Sequence, residues 1–299
     1  MDSIIQSSAN GLTIGVIYSL ISVACSLGYG AARPLIFASG AVYLIGAAVS
    51  ASVVSVAAMY RLDSRPLDLV IALIAALTIG LIAGWAIGRC VHNQSSKQPA
   101  LLPLAASAGF FMLAAGLLQL IGQLHFPQLP NAQFALRFVP ETNIVPAKPI
   151  AFVLGAIALA AVLYVIRNSS FGRAQRAIMQ DRQTAELLGL DLRWAGSMSI
   201  LLASAIAVLA GWMTVISQGP VDLNSGLLTI ASVFCAATAG GLRSPRRVAT
   251  AGFLTGLANA LWSLYFGAAY AGIAIFALLV FILTTMQPAL IGRRPAEKA

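Results

Sequence analysis

SSFGRAQRAIMQDRQTAELLGLDLRW, residues 169–194, is the one long polar run between two groups of apolar segments, and its reading decides the fold. Arg173 and Arg176, three apart, share one helical face while Ala174, Ala177 and Ile178 lie on another, so 171–180 reads as a short amphipathic helix. A second short helix starts with Asp181 as N-cap, runs through Thr184, Ala185, Leu187 and Leu188, and stops at Gly189, whose missing Cβ suits the left-handed position that ends a helix. Phe171, Ile178, Leu187 and Leu188 form an apolar set unsuited to open water. They are expected in a groove, against the base of a membrane domain or, the sharper expectation, against a partner protein.

On both sides of this run the chain is mostly apolar. Of its 299 residues 59% are apolar and 9% charged, against the roughly 25% charged of a soluble domain. The fold class is therefore an all-α polytopic membrane protein, one transmembrane domain over 1–299 with a polar loop at 168–194. Segments of spanning length fall at 10–29, 35–59, 69–88, 100–122, 150–166, 195–216, 226–241, 248–266 and 269–286. About nine spans are predicted, with eight to ten allowed because 226–241 is short and ends in glycine. The stretch 125–149, with five prolines, is expected outside the bilayer. MDSIIQSSAN lacks the basic start of a cleaved signal, so the first span is expected to be retained.

With nine crossings, Arg61, Arg65, Arg137 and Lys148 lie on one side, and the other fourteen of the 18 basic residues lie on the side of the 168–194 loop. By the positive-inside rule that loop is cytoplasmic, the N-terminus external and the C-terminus cytoplasmic. The net charge of +9 is thus explained by orientation, and its residues form no basic stripe with interleaved aromatics for nucleic acid. Membrane lipid is the expected surrounding.

Several chemistries lack their residues. No Asp, Glu, Lys, Arg or His falls mid-span, which tells against a proton pump and less strongly against a sodium carrier. A phosphate loop of the G-x-x-x-x-G-K-[ST] type is absent, so any ATP-derived energy arrives from another subunit. His92 and His125 sit in opposite loops, and Cys25, Cys90 and Cys235 are widely spaced, which argues against a membrane enzyme, a metal site or a disulfide. Glycines four apart, at Gly11 and Gly15, at Gly80, Gly84 and Gly88, and at Gly252 and Gly256, read as close helix packing within the chain, with a subunit interface as the minority alternative. The polar residues inside spans are Asn10, Thr13, Ser39, Thr78, Gln119, Thr238, Thr255 and Asn259, and most are expected to bond a neighbouring helix.

FGRAQRAIMQD followed by AELLGLD resembles the cytoplasmic coupling loop of permeases from branched-chain amino acid (Liv-type) ABC importers, a family that includes urea and amide permeases. The pattern is an FGRA-x-RA segment, an Asp, then an Ala with LLG. Phe171, Gly172, Arg173, Ala174, Arg176, Ala177, Asp181, Ala185, Leu188 and Gly189 fit it. The resemblance implies that this loop docks on an ATPase subunit and transmits its motion, with Arg173 and Arg176 toward acidic groups there and Asp181 fixing the corner between the helices. It implies no cofactor in this chain, with ATP and Mg on two partner ATPase subunits, and a sister permease and a solute-binding protein as further partners.

Two other stretches resemble family motifs and depart from them. PLIFASG at 34–40 keeps Phe37, Ala38 and Gly40 of an L-x-N-F-A-H-G motif, with Ile36 in the Asn place and Ser39 in the His place. AGGLRSP at 239–245 keeps Gly240, Gly241 and Ser244, with Arg243 in a glycine place, and Asn259 falls where the family often has Glu. Phe37, Ser39, Gly40, Gly240, Gly241 and Asn259 are thereby candidates for the substrate path, and the departures bear on the solute more than on the fold. NGLTIGVIYSLIS from Asn10, KQPALLPLAASAG from Lys97 and QPALIGRR from Gln287 extend the resemblance over most of the chain. The function implied is a permease subunit moving a small polar solute, most simply a branched-chain or other amino acid. The alternative is a stand-alone secondary transporter.

Overall fold

Helices account for nearly all of the structure, a computed structural model that describes residues 2–31, 36–59, 65–95, 105–116, 147–180, 182–219, 223–242 and 244–267, and position 277. In chain order they are α1 (Asp2–Ala31), α2 (Ile36–Met59), α3 (Arg65–Ser95), α4 (Ala105–Gly116), α5 (Ala147–Asn168), α6 (Ser170–Gln180), α7 (Arg182–Leu187), α8 (Leu192–Gln218), α9 (Leu223–Gly240) and α10 (Pro245–Phe266). Eight of them coincide with predicted spans, and α6 and α7 with the two short helices of the loop. The ninth predicted span, 269–286, lies outside the described residues apart from position 277, as does most of 125–149.

Five helices, α1, α2, α3, α5 and α8, are both long and apolar enough to cross a bilayer. The described part of α4 is shorter, as is the apolar part of α9, and α10 is diluted by polar residues such as Arg246, Arg247 and Asn259. One difference from the sequence reading is that α3 continues through His92, Asn93 and Gln94, expected to be a polar loop. Nothing in that run breaks a helix, and the next proline is Pro99, so the helix overhangs the apolar zone. Near this end the Arg89 guanidinium lies 5.1 Å from the centre of the Trp85 ring, an amphipathic pair of the kind found at a membrane–water boundary.

At the centre of the bundle stands α1, 89% buried along its apolar span, against 28% for α3 and 17% for α5, which carry the outward faces. It packs on α10, α8, α5, α9 and α2. The glycine ridges are used inside the chain. A Cβ at Gly256 would stand 2.5 Å from the Gly15 Cα, and one at Gly252 would stand 2.8 Å from the Ser19 Cα, so α1 and α10 meet almost backbone to backbone. Likewise a Cβ at Gly80, Gly84 or Gly88 would run into Val208, Ser204 or Ile200 of α8. Such contact supplies dispersion where lipid gives no hydrophobic drive between helices.

These pairings fix the relative direction of the helices. The C-terminal ends of α1, α3, α5 and α9 and the N-terminal ends of α2, α8 and α10 gather at the end that carries α6 and α7, through contacts such as Cys25 with Ser39, Gly88 with Ile200 and Ser26 with Leu242. Arg89, Arg167, Arg173, Arg176, Arg246 and Arg247 all lie at that end, as the nine-crossing reading requires.

Candidate functional site: the loop handle and the inner end of the bundle

The α5–α6 corner is built by Ser169. Its carbonyl accepts from Arg173 N and its hydroxyl accepts from Gly172 N at 3.0 Å, which caps the first turn of α6. Gly172 is required for the closeness of the corner, since a Cβ there would fall on the Ile166 carbonyl. The two arginines fold back over the end of α5. Arg176 Nη1 donates to Ile166 O at 2.6 Å and Nη2 to Arg167 O at 3.3 Å, while Arg173 Nη1 donates to Asn168 O at 3.1 Å. Guanidiniums on the last carbonyls of a helix satisfy acceptors that have no partner inside it and oppose the negative end of its dipole. Both arginines remain exposed. Between this corner and the start of α10 lies a groove of about 330 Å³, lined by Leu163, Ile166, Arg167, Arg176, Ser244, Pro245 and Arg246.

Phe171 is half-buried edge-on against Trp194, with ring centres 6.4 Å apart. Trp194 N in turn donates to Asp191 Oδ1, so Asp191 caps α8. Gly172 and Gln175 are the fully buried residues of α6. Gln175 Nε2 donates to Leu27 O near the end of α1 at 3.4 Å, and its Oε1 is buried with no hydrogen-bond partner among the described residues.

α7 ends as its sequence predicts. Gly189 has φ +81°, Gly189 N donates to Glu186 O and Leu190 N to Ala185 O, the paired bonds of a Schellman termination. Ala185 is buried, whereas Leu187 and Leu188 are 88% and 76% exposed. The apolar set therefore divides: Phe171 and Ile178 are partly covered by this chain, and the two leucines are not. Asp181 lies outside the described residues.

The candidate path residues fall in three places. Phe37 stacks on Phe234 at 6.2 Å, Ser39 bonds Cys25 at 2.9 Å, and a Cβ at Gly40 would stand 2.8 Å from Ile230, all where the start of α2 meets α1 and α9. Gly240 lies against the Val248 backbone and Gly241, at φ +74°, turns α9 into α10. Asn259 sits about 21 Å further along α10 at 1.5 Å per residue from Pro245, donating to the Tyr18 hydroxyl at 3.0 Å.

That last bond belongs to a polar cluster that sequence reasoning missed. Thr229 and Ser232 of α9 also reach the Tyr18 hydroxyl, and Tyr43 donates to Thr214 Oγ1 at 3.2 Å, so α1, α2, α8, α9 and α10 are joined at one level. No spacing rule gathers six residues from five helices. Ser169 and Asp191, by contrast, each precede a helix and carry the capping signal in plain sequence.

The site is thus a bundle of glycine-packed, membrane-length helices with an amphipathic two-helix handle at its basic end, the build of a polytopic membrane protein. Comparison with known proteins gives the family. The model of the branched-chain amino acid transport system / permease component matches residues 7–283, and the chain belongs to that family. It is similar to the high-affinity branched-chain amino acid transport system permease protein LivH of Escherichia coli K12, 27% identical over 98% of this chain and 97% of that protein. The corresponding protein BraD of Pseudomonas aeruginosa is 28% identical over the same shares, and a probable LivH of Methanocaldococcus jannaschii is 24% identical over 85% of this chain and 81% of its own length. PsaBC from Streptococcus pneumoniae, solved in complex with a Fab, superposes with a TM-score of 0.50 at 13% identity, covering 94% of each chain, a likeness of fold.

Proposed function

We propose that this chain is the membrane-spanning subunit of a bacterial ABC importer, carrying branched-chain amino acids or a similar small polar solute across the inner membrane into the cytoplasm. The handle faces the cytoplasm, the N-terminus is external and the C-terminus cytoplasmic. Two ATPase subunits hold ATP and Mg, a sister permease or a second copy completes the path, and an external solute-binding protein delivers the cargo. The solute class rests on the names of the relatives and on the family.

The observation that carries the reading is the exposed pair Leu187 and Leu188 on a handle whose first helix is seated on the bundle by Phe171, Gly172 and Gln175. Apolar side chains left in water at the end of a capped, buried-anchored helix suit a docking face. Closure of the ATPases on ATP would favour one of two arrangements of the bundle by differential contact with this face. Arg173, Arg176 and the arginine-lined groove add positive charge beside it, and Phe171, Gly172, Asp181, Ala185 and Gly189 keep its shape.

The test uses the complex copurified with its ATPase and reconstituted in vesicles, with radiolabelled leucine inside the binding protein. Leu188→Glu should reduce ATP-driven uptake at least tenfold while leaving the amount of permease in the membrane unchanged. Full uptake by Leu188→Glu, or uptake by this chain in vesicles without an ATPase, would refute the docking role and favour a stand-alone carrier.

A further inference from the structure

We propose that Gln175 is a positioning residue of the transport cycle, the tooth by which α6 moves α1 and through it the rest of the bundle. The inference rests on the docking role proposed for α6 and α7. Besides the edge contact of Phe171 with Trp194 at the foot of α8, two hydrogen-bonded routes lead from α6 into the membrane. One is the corner with α5, held by Gly172, Arg173 and Arg176. It ends in α5, a helix only 17% buried along its span.

The other route is the Gln175 bond to Leu27 O, and it enters the most enclosed helix of the molecule. The last four turns of α1 carry its bonds to the neighbouring helices. Cys25 bonds Ser39 at the start of α2, Ser26 donates to Leu242 O in the α9–α10 turn, and Ser19 donates to Ala249 O of α10. One pull on α1 thus reaches the segments around Phe37, Ser39 and Gly40 and around Gly240 and Gly241 together. No comparable hydrogen bond from another α6 side chain to α1 is found among the described residues.

The chemistry of the residue fits a movable contact better than a static brace. A glutamine chosen for stability alone would have both ends of its amide satisfied, because a buried acceptor without a donor is costly. Here the donated bond is long and Oε1 has no partner among the described residues. Packed apolar interiors hold discrete arrangements and do not deform continuously, so a side chain held by a long bond in one arrangement can exchange partners in the other.

In the reconstituted complex, Gln175→Leu, which keeps the bulk and removes both polar ends, should lower leucine uptake about tenfold. ATP hydrolysis by the same vesicles should stay within twofold, and the thermal midpoint of the complex should be unchanged or higher. Gln175→Met, which keeps the length and has no proton to donate, should show the same split. Wild-type uptake in Gln175→Leu overturns the proposal, and so does a parallel fall of uptake, hydrolysis and midpoint, the mark of a purely structural residue. Leu188→Glu measured alongside separates the two ideas: its loss of uptake beside a normal Gln175→Leu removes only the assignment of Gln175, whereas normal uptake in both removes the docking role as well.

Discussion

Gly189 and Gly172 are both in the handle, and they are glycines for opposite reasons. At Gly189 a Cβ would meet nothing within 4 Å, but φ is +81°, so the demand is on the backbone alone. At Gly172 the helix is regular and the demand is on space, the Ile166 carbonyl occupying the Cβ position. Substitutions should therefore separate. Gly189→Asn, which tolerates the left-handed region, should be close to neutral, whereas Gly189→Val should cost about 1–3 kcal/mol locally, fray α7 and uncouple uptake from ATP hydrolysis. Uptake and hydrolysis measured on both variants check this, and equal behaviour of Asn and Val would contradict it. Gly189 was legible in the sequence because a helix-ending glycine has a local signature. Gly172 and the carbonyl-bound arginines were legible only as motif positions, because their contacts depend on the sharp corner at Ser169, which periodicity does not encode. Gln175 escaped notice although Phe171, Gly172, Gln175, Ile178 and Met179 form a three-and-four stripe, the face this helix turns inward.

Among the elements, the glycine ridges show where sequence reading stops. Their four-residue spacing announced close packing, but a ridge does not name its partner. The structure pairs α1 with α10 and α3 with α8, joining segments separated by more than a hundred residues. Gly84→Ala places a methyl group on Ser204, and overpacking of this kind typically costs about 1–3 kcal/mol. Ser204→Gly in the same chain should recover part of that loss, giving a coupling energy above about 0.5 kcal/mol in a double-mutant cycle read from thermal midpoints in detergent. Strict additivity of the two changes would mean that α3 and α8 do not meet here. Helix existence was readable throughout the described spans, from apolar length bounded by Pro, Gly and charge. The end of α3 was not, since a polar run outside the apolar zone looks alike whether it is coiled or helical.

For the molecule as a whole, sidedness is the property most easily tested. Helices α1, α3, α5 and α9 end at the handle and α2, α8 and α10 start there, with Arg89, Arg167, Arg246 and Arg247 at that end and Arg65 at the other, so one measured position fixes the rest of these. In a chain with its native cysteines replaced, single cysteines at Arg173 or Arg246 should react with a membrane-impermeant maleimide only in inside-out vesicles, and one at Arg65 only in intact spheroplasts. Labelling with the reverse pattern would place the handle outside the cell and remove the ATP-coupled reading. Charge counting put these arginines and the handle at one end from sequence because it sums many weak preferences over the chain. The hydroxyl cluster around Tyr18 and Tyr43 could not be reached that way, being a product of which helices lie beside α1.

The Trp85–Arg89 pair has one more consequence. If that pair marks the waterline, Gly88 against Ile200 marks the same level on α8, and the eight residues back to Leu192 rise about 12 Å beyond it at 1.5 Å per residue. A headgroup layer is only about 5–8 Å deep on each side. The start of α8 thereby stands above the phosphates, and removing one turn from its foot would lower that start by about 5 Å, down among the headgroups.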